Sequence, residues 1–319
     1  YTRRGLPTTP EQIMVTGGAQ HALALMIRLL CGPGDRVVID HPTYPHAIDA
    51  IQRASCRPIP VGLPDDGWDV DGIAAAFRQS GPRLAYLIAD FHNPTGRWMA
   101  PEARAAIARA AAAERTVVIL DETLVDLWLD APIAPYAFEA PEQAVVRVGS
   151  TGKSFWGGLR LGWIRADAQT IQALAQRRVS IDLGTPLLEQ LAAVQLISAE
   201  EEPLAARRDL LRNRRDHLLS LVRAQLPDWR VGSPPGGLSL WAELPAPVSS
   251  ALTASAERFG VRLAAGPRFG VDGAFERFVR LPYTQAPDVL ADVVERLAQA
   301  YARLRPGQTT TRPAMGALI

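Results

Sequence analysis

Four short runs of branched apolar residues, each closing in a polar loop, limit what this chain can fold into. They are RVVID (36–40), RLAYLIAD (83–90), RTVVILDE (115–122) and AVVRVGS (144–150). Near-continuous apolar strands of this kind are buried on both faces and pair in parallel. Around them lie GGAQHALALMIRLLC (17–31), TYPHAIDAIQRAS (43–55), DVDGIAAAFRQS (69–80) and PEARAAIARAAAAE (101–114), which have helical spacing or alanine-rich propensity. The alternation predicts a doubly wound α/β core whose ligands sit at the carboxyl ends of the strands. After residue 200 the pattern changes. A long charged helix, EEPLAARRDLLRNRRDHLLSLVRAQL, leads into LSLWAEL, GVRLAAG, RFVRLPY and a last helix, APDVLADVVERLAQAYARL, which predicts a smaller α+β domain. The expected division is 1–203 for the large domain, 204–305 for the small one with the long helix at its start, and 306–319 for a disordered tail rich in turn formers.

With 319 residues, 48% of them hydrophobic and 21% charged, the chain has enough apolar material for a full core. Its net charge of +1 and scattered arginines offer no basic arm, so no nucleic-acid contact is expected from this chain itself. Two cysteines, Cys31 and Cys56, and five scattered histidines form neither a disulfide framework nor a zinc spacing; no metal is expected, and a reducing cytoplasm is the simplest compartment. No apolar run approaches about 18 residues, and YTRRGLPTTP lacks a signal-peptide core, so neither a membrane span nor export is expected.

The stretch VGSTGKSFWGGLRLGW (148–163) poses the functional question, because GSTGKS looks like a phosphate-binding P-loop. That motif needs a glycine where this chain has Arg147, and a helix where Gly157 and Gly158 would be costly. LRLGWI alternates like a short strand instead. Spacing and context therefore reject the P-loop and leave Lys153 open as either a surface residue or a covalent catalytic lysine.

Three other loops bear on Lys153. TGGAQHAL (16–23) puts Gly17, Gly18, Ala19 and Gln20 at a helix start, where free amides and the helix dipole favour an anion, although a plain turn fits too. DFHNPTGR (90–97) follows a strand; Asn-Pro alone is an ordinary turn opener, but the tetrapeptide Asn93-Pro94-Thr95-Gly96 is rarer. VVILDET (117–123) ends a buried strand in Asp121, a carboxylate that is expensive there unless it meets a cation or donor, in a cap or an ion pair if not in a site.

In this order, G-G-A-Q, N-P-T-G, D-E and S-x-x-K followed by R-x-G resemble the fold-type I pyridoxal-phosphate enzymes of the class I/II aminotransferase superfamily, over nearly the whole chain. The resemblance implies an aspartate aminotransferase-like fold and transfer of an amino group between an amino acid and a 2-oxo acid. It further implies a cofactor, pyridoxal 5'-phosphate, held as a Schiff base by Lys153, which also shuttles the substrate Cα proton. Asp121 would keep the pyridine nitrogen protonated. Asn93 would bond the 3-hydroxyl, and Tyr44 would stack on the ring unless it is core packing. Gly18, Ala19, Gln20, Ser150 and Arg160 would hold the phosphate. Arg280 would clamp the substrate α-carboxylate unless it is a surface arginine at a strand edge.

Three departures stand out. Leu124 replaces a tyrosine that often also bonds the 3-hydroxyl. Gly152 and Gly157 stand where serine and proline are common. The chain opens almost directly at the family's RRGLPTTPEQIMVTGGAQ region, so the resemblance implies an arm and part of the small domain upstream. A rival expectation is an effector domain sensing the cofactor or an amino acid, as in MocR-type regulators of the GntR family, where a winged helix precedes this fold; DETLVDLWLD (121–130) resembles some of those. A lyase or decarboxylase on the same fold is also open. A two-fold homodimer is expected, since the family's cleft is closed by a second subunit, with residues 128–143, including Trp128, Ile133, Tyr136 and Phe138, as the candidate surface.

Overall fold

The computed structural model describes residues 1–65, 67–132, 140–199 and 201–304. The expected tail and three of the expected interface residues, Ile133, Tyr136 and Phe138, lie outside these.

The first half alternates strand and helix: β1 Ile13–Thr16, α1 Ala19–Leu30, β2 Arg36–His41, α2 Pro45–Arg53, β3 Arg57–Gly62, α3 Val70–Ser80, β4 Leu84–Leu87, α4 Pro101–Ala113, β5 Val117–Asp121 and β6 Val145–Ser150. A four-residue helical turn, α5 Thr151–Ser154, precedes β7 Gly162–Arg165 and α6 Ala168–Arg178. These strands form one seven-stranded sheet in the order β1-β7-β6-β5-β4-β2-β3. The four runs read from sequence, β2, β4, β5 and β6, pair in parallel as expected, and only β7 runs against its neighbours. Each central strand is buried on both faces. Val37, Ile39, Tyr86, Ile119 and Val148 meet α1, α2 and α6, whereas Val38, Ala85, Leu87, Val118 and Leu120 meet α3 and α4.

Two strands of this sheet escape a reading by apolar runs. β3 carries Pro58 and Pro60, which are tolerable because it is an edge strand paired only with β2. β1 is four residues at the opposite edge. The remaining elements are α7 Leu187–Ser198, α8 Glu201–Gln225, β8 Arg230–Val231, β9 Ser239–Glu243, α9 Ser249–Glu257, β10 Ala264–Ala265, β11 Phe278–Pro282 and α10 Pro287–Ala302. The last four strands make a second, antiparallel sheet in the order β10-β11-β9-β8. Leu240, Ala242, Val279 and Leu281 from it bury against Leu218, Val222, Leu290 and Leu297 of α8 and α10.

Beneath the large sheet's carboxyl edge, Arg104 of α4 reaches Asp90 in a fully buried pair, with N–O distances of 2.7 and 3.2 Å. Truncating one member of such a pair strands the other charge in the interior. We therefore expect Arg104→Ala to lower stability by about 3–5 kcal/mol in urea unfolding; a loss below about 1 kcal/mol would mean that Asp90 finds water.

Candidate active site

The carboxyl ends of β4, β5 and β6, the start of α1 and one edge of the second sheet converge on a cavity of about 440 Å³. All ten candidate residues from the sequence, Gly18, Ala19, Gln20, Tyr44, Asn93, Asp121, Ser150, Lys153, Arg160 and Arg280, line it.

One wall is the amino end of α1. Gly18 caps the helix with φ of 101°, a conformation that favours glycine. Arg160, itself in the left-handed region at φ 52°, turns its guanidinium back so that a Cβ on Gly18 would stand 3.3 Å from Nη2. The glycine of L-R-L-G-W is also explained. A Cβ on Gly162 would lie 2.6–2.7 Å from Gly18 C, Ala19 N and Gly149 O, so β7 passes against the helix start only because Gly162 has no side chain. Free amides, the helix dipole and Arg160 together make an anion cradle. Gln20 adds a buried Oε1 with no partner.

The floor is Asp121, the last residue of β5, which is 7% exposed. Its Oδ1 accepts from Thr123 N at 2.9 Å and its Oδ2 from the Tyr86 hydroxyl at 2.5 Å. Burial pushes its carboxyl pKa up, and these two donors hold it back. Among the described residues no basic side chain lies within ion-pairing distance of it. Tyr86 was missed in the sequence, where a lone phenol inside an otherwise apolar strand was the available signal.

Lys153 enters from α5. Ser150 caps this turn, its Oγ accepting from Gly152 N at 3.0 Å and donating to Leu161 O at 2.9 Å. Thr151 donates to Leu161 O, and Ser154 donates to Asp126 at 2.7 Å. The flanking residues are thus tied down while the lysine between them faces the cavity. Burial, and next the Arg280 cation, pull the Lys153 ammonium below its ordinary pKa. Lys153 is also the only lysine in the chain; the other 33 of its 34 basic residues are arginine. Only a primary amine condenses with an aldehyde, so this count was a signal in plain view.

Arg280, on β11, closes the remaining side. It donates to Asn93 Oδ1 at 3.0 Å, lies 5.2 Å from the Phe269 ring centroid, and keeps a buried Nε without a partner. Tyr44 precedes α2 at the rim, partly buried, and burial followed by the Asp121 charge raises its phenol pKa. Leu124, where a tyrosine was expected, is buried and also lines the cavity.

A seven-stranded, mostly parallel sheet with a cleft at the carboxyl ends of its strands is the aspartate aminotransferase-like fold. The aminotransferase class I and II family model matches residues 1–297, and the chain belongs to that family. It is 30% identical over 299 residues to 2-aminoadipate transaminase of Thermus thermophilus, covering 91% of this chain and 75% of that one. It is also 30% identical, over 92% of its length and 63% of the relative's, to the uncharacterized HTH-type transcriptional regulator YdeF of Bacillus subtilis. Among solved structures, the α-aminoadipate aminotransferase LysN of Thermus thermophilus, complexed with N-(5'-phosphopyridoxyl)-L-leucine, superposes with a TM-score of 0.86 at 29% identity over 93% of this chain and 78% of its own.

The electrostatics of Lys153 give a test that needs no cofactor. A depressed pKa means that the neutral amine appears at lower pH than in an ordinary lysine, near 10.5. Amine-selective labelling of Lys153, followed by peptide mass, should have its midpoint below that value. Arg280→Gln should move the midpoint up and Asp121→Asn should move it down. An unshifted midpoint indifferent to both changes would refute the account.

Proposed function

We propose that this chain transfers an amino group between an amino acid and a 2-oxo acid, using pyridoxal 5'-phosphate held at Lys153. The observation that carries this is the position of the chain's single lysine, in one cavity with an anion cradle and with a buried carboxylate that has no ion-pair partner among the described residues. The cleft fits such a cofactor at both ends. The uncompensated Asp121 suits a protonated ring nitrogen, and the Gly18–Arg160 cradle, with the orphan Gln20 Oε1 beside it, suits a phosphate monoester. When bound, the cofactor supplies an aldehyde and an electron-withdrawing ring that acidifies the substrate Cα.

The protein's own groups do the rest. Gly18, Ala19, Gln20, Ser150 and Arg160 would hold the phosphate, and Asp121, whose oxygens accept from Tyr86 and Thr123, would hold a proton on the ring nitrogen. Asn93 has its Oδ1 occupied by Arg280, which leaves its NH₂ to donate to the 3-hydroxyl. Tyr44 covers the ring face. Arg280 binds the substrate α-carboxylate, and Lys153 Nζ, neutral at lower pH than an ordinary lysine, takes and returns the Cα proton. Lys153→Ala, and equally Lys153→Arg, should abolish the visible cofactor band and amino transfer. Asp121→Asn should retain cofactor but slow amino transfer by at least about a hundredfold, far more than Asn93→Ala. Equal, small losses from the two would remove Asp121 from this role.

The relatives that are regulators favour a second reading, in which the same chemistry serves sensing by an effector domain. Adding single amino acids and a 2-oxo acid to cofactor-loaded protein separates the two, since sensing shifts the spectrum without accumulating product.

The same reading includes a homodimer, on a different surface from the one expected. Trp128 is not available as an exposed anchor. It is partly buried, bridges to Gly236 and lies under the Arg208 guanidinium, 4.0 Å from its ring centroid. The exposed apolar side chains instead cluster on residues 179–194: Val179, Leu183 (96% exposed), Leu187, Leu188 (79%), Leu191 and Val194. This face adjoins the cleft, because Thr185 donates to Val15 O at 3.0 Å and Asp182 meets His21 of α1 at 3.2 Å. An apolar surface of this extent is costly in water. Sedimentation equilibrium should find a dimer that Leu188→Glu converts to monomer; a monomeric parent protein would exclude it.

A further inference from the structure

His21 follows the Gly18–Gln20 wall of the cleft directly, and its two ring nitrogens are committed to different parts of the protein. Nδ1 accepts from the Gly17 amide at 3.1 Å. Nε2 lies 3.2 Å from Asp182 Oδ2. Because an amide N–H can only donate, Nδ1 carries no proton, and the one proton of the neutral ring sits on Nε2, facing the carboxylate. Burial lowers the ring's pKa, against the pull of Asp182 and with the help of the Arg178 cation, so this neutral form persists to lower pH than in an ordinary histidine.

On the cleft side, His21 fixes a backbone unit that the anion cradle shares. The Gly17 carbonyl accepts from Arg160 Nη2 at 3.5 Å, so this glycine is held at its N–H by His21 and at its C=O by the cradle's guanidinium. A Cβ on Gly17 would stand only 3.3 Å from Nδ1, so the absent side chain is what lets ring and backbone approach. On the far side, Asp182 organises the start of the exposed apolar segment. Its Oδ1 accepts from Arg178 Nε at 2.6 Å and from Gly184 N at 2.9 Å, and Arg178 Nη2 donates to Thr185 Oγ1 at 2.9 Å. Arg178 and Thr185 both donate to Val15 O on β1 as well. A continuous series of polar contacts thus runs from Arg160 through Gly17, His21 and Asp182 to Gly184.

We infer that His21 is a positioning residue that couples the phosphate cradle to the exposed apolar segment, by holding the Gly17 amide through Nδ1 and Asp182 through Nε2. This rests on the reading of the cradle as a phosphate site. Phosphate in the cradle restrains Arg160 and Gly17, which fixes the ring and, through it, Asp182. By reciprocity, whatever orders residues 182–185, a second chain on the apolar face included, favours phosphate.

The test separates the two nitrogens. Asparagine places an acceptor near the position of Nδ1, whereas glutamine places a donor near that of Nε2. The affinity of the full chain for pyridoxal 5'-phosphate divided by that for pyridoxal, each read from the visible band, isolates the phosphate and cancels a general loss of stability. His21→Gln should lower this ratio by about fivefold, the scale of one neutral hydrogen bond, and His21→Asn should restore most of it. Amide hydrogen exchange reads the other half. Saturating inorganic phosphate should slow exchange at residues 182–185 by about fivefold in the parent protein, and His21→Asn, which lacks the Nε2 donor, should abolish the slowing. A ratio indifferent to His21→Gln, or exchange at 182–185 that ignores phosphate in the parent protein or still responds in His21→Asn, overturns the coupling. If pyridoxal 5'-phosphate gives no visible band, the cofactor reading fails, and the exchange measurement with inorganic phosphate alone decides the coupling.

Discussion

The structure turns on a carboxylate that the fold buries with no basic side chain within ion-pairing distance among the described residues. Asp121 ends a central strand of the sheet, and its two hydrogen bonds come from neutral donors, the Tyr86 phenol and the Thr123 amide. Burial raises the cost of ionising it, and those donors offset only part of that cost. On the function proposed above, a protonated ring nitrogen beside Asp121 would supply a compensating charge.

The opposite imbalance surrounds that floor. Arg160 and Arg280 line the cleft without carboxylate partners among the described residues, while arginines elsewhere, such as Arg104, Arg147 and Arg165, are paired with Asp90, Glu122 and Glu142. The helix dipole at Gly18 adds to the positive field. Such a field suits anions, and the proposed function supplies a phosphate and an α-carboxylate. Burial first, and the Arg280 cation next, depress the Lys153 pKa, so on that reading one arginine would both bind ligand and lower the proton affinity of the amine.

Much of this was legible in the sequence, for physical reasons that also mark where legibility ended. β2, β4, β5 and β6 read correctly because burial on both faces demands unbroken apolar runs. β3 did not, because its edge position tolerates Pro58 and Pro60. The loops that line the cavity were legible because each motif meets a local demand: a left-handed Gly18, a close approach at Gly162, a charge at a strand end. Tyr86 was not legible, because nothing in an apolar strand announces which side chain crosses to another element. The exposed apolar face of residues 179–194 was overlooked for a related reason: apolar residues in a helix such as α7 look like core until the fold shows that Ala193 is its only buried residue.

The lysine count bears on how strictly this site is specified. Arginine replaces lysine well wherever a charge, a hydrogen bond or a solvated surface is needed, and this chain uses arginine in all such places. It cannot replace lysine where the nitrogen must lose its proton near neutral pH and form a covalent bond with a carbonyl, because the guanidinium stays protonated. In a sequence with 33 arginines, the one position that keeps a lysine is the position at which the proposed function needs an amine. Residues around it are shaped to the same end: Ser150, Thr151 and Ser154 immobilise the backbone, and Asp121 and Arg280 set the balance of charge. Composition, local geometry and electrostatics converge on Lys153 independently, and a surface lysine would require none of the three.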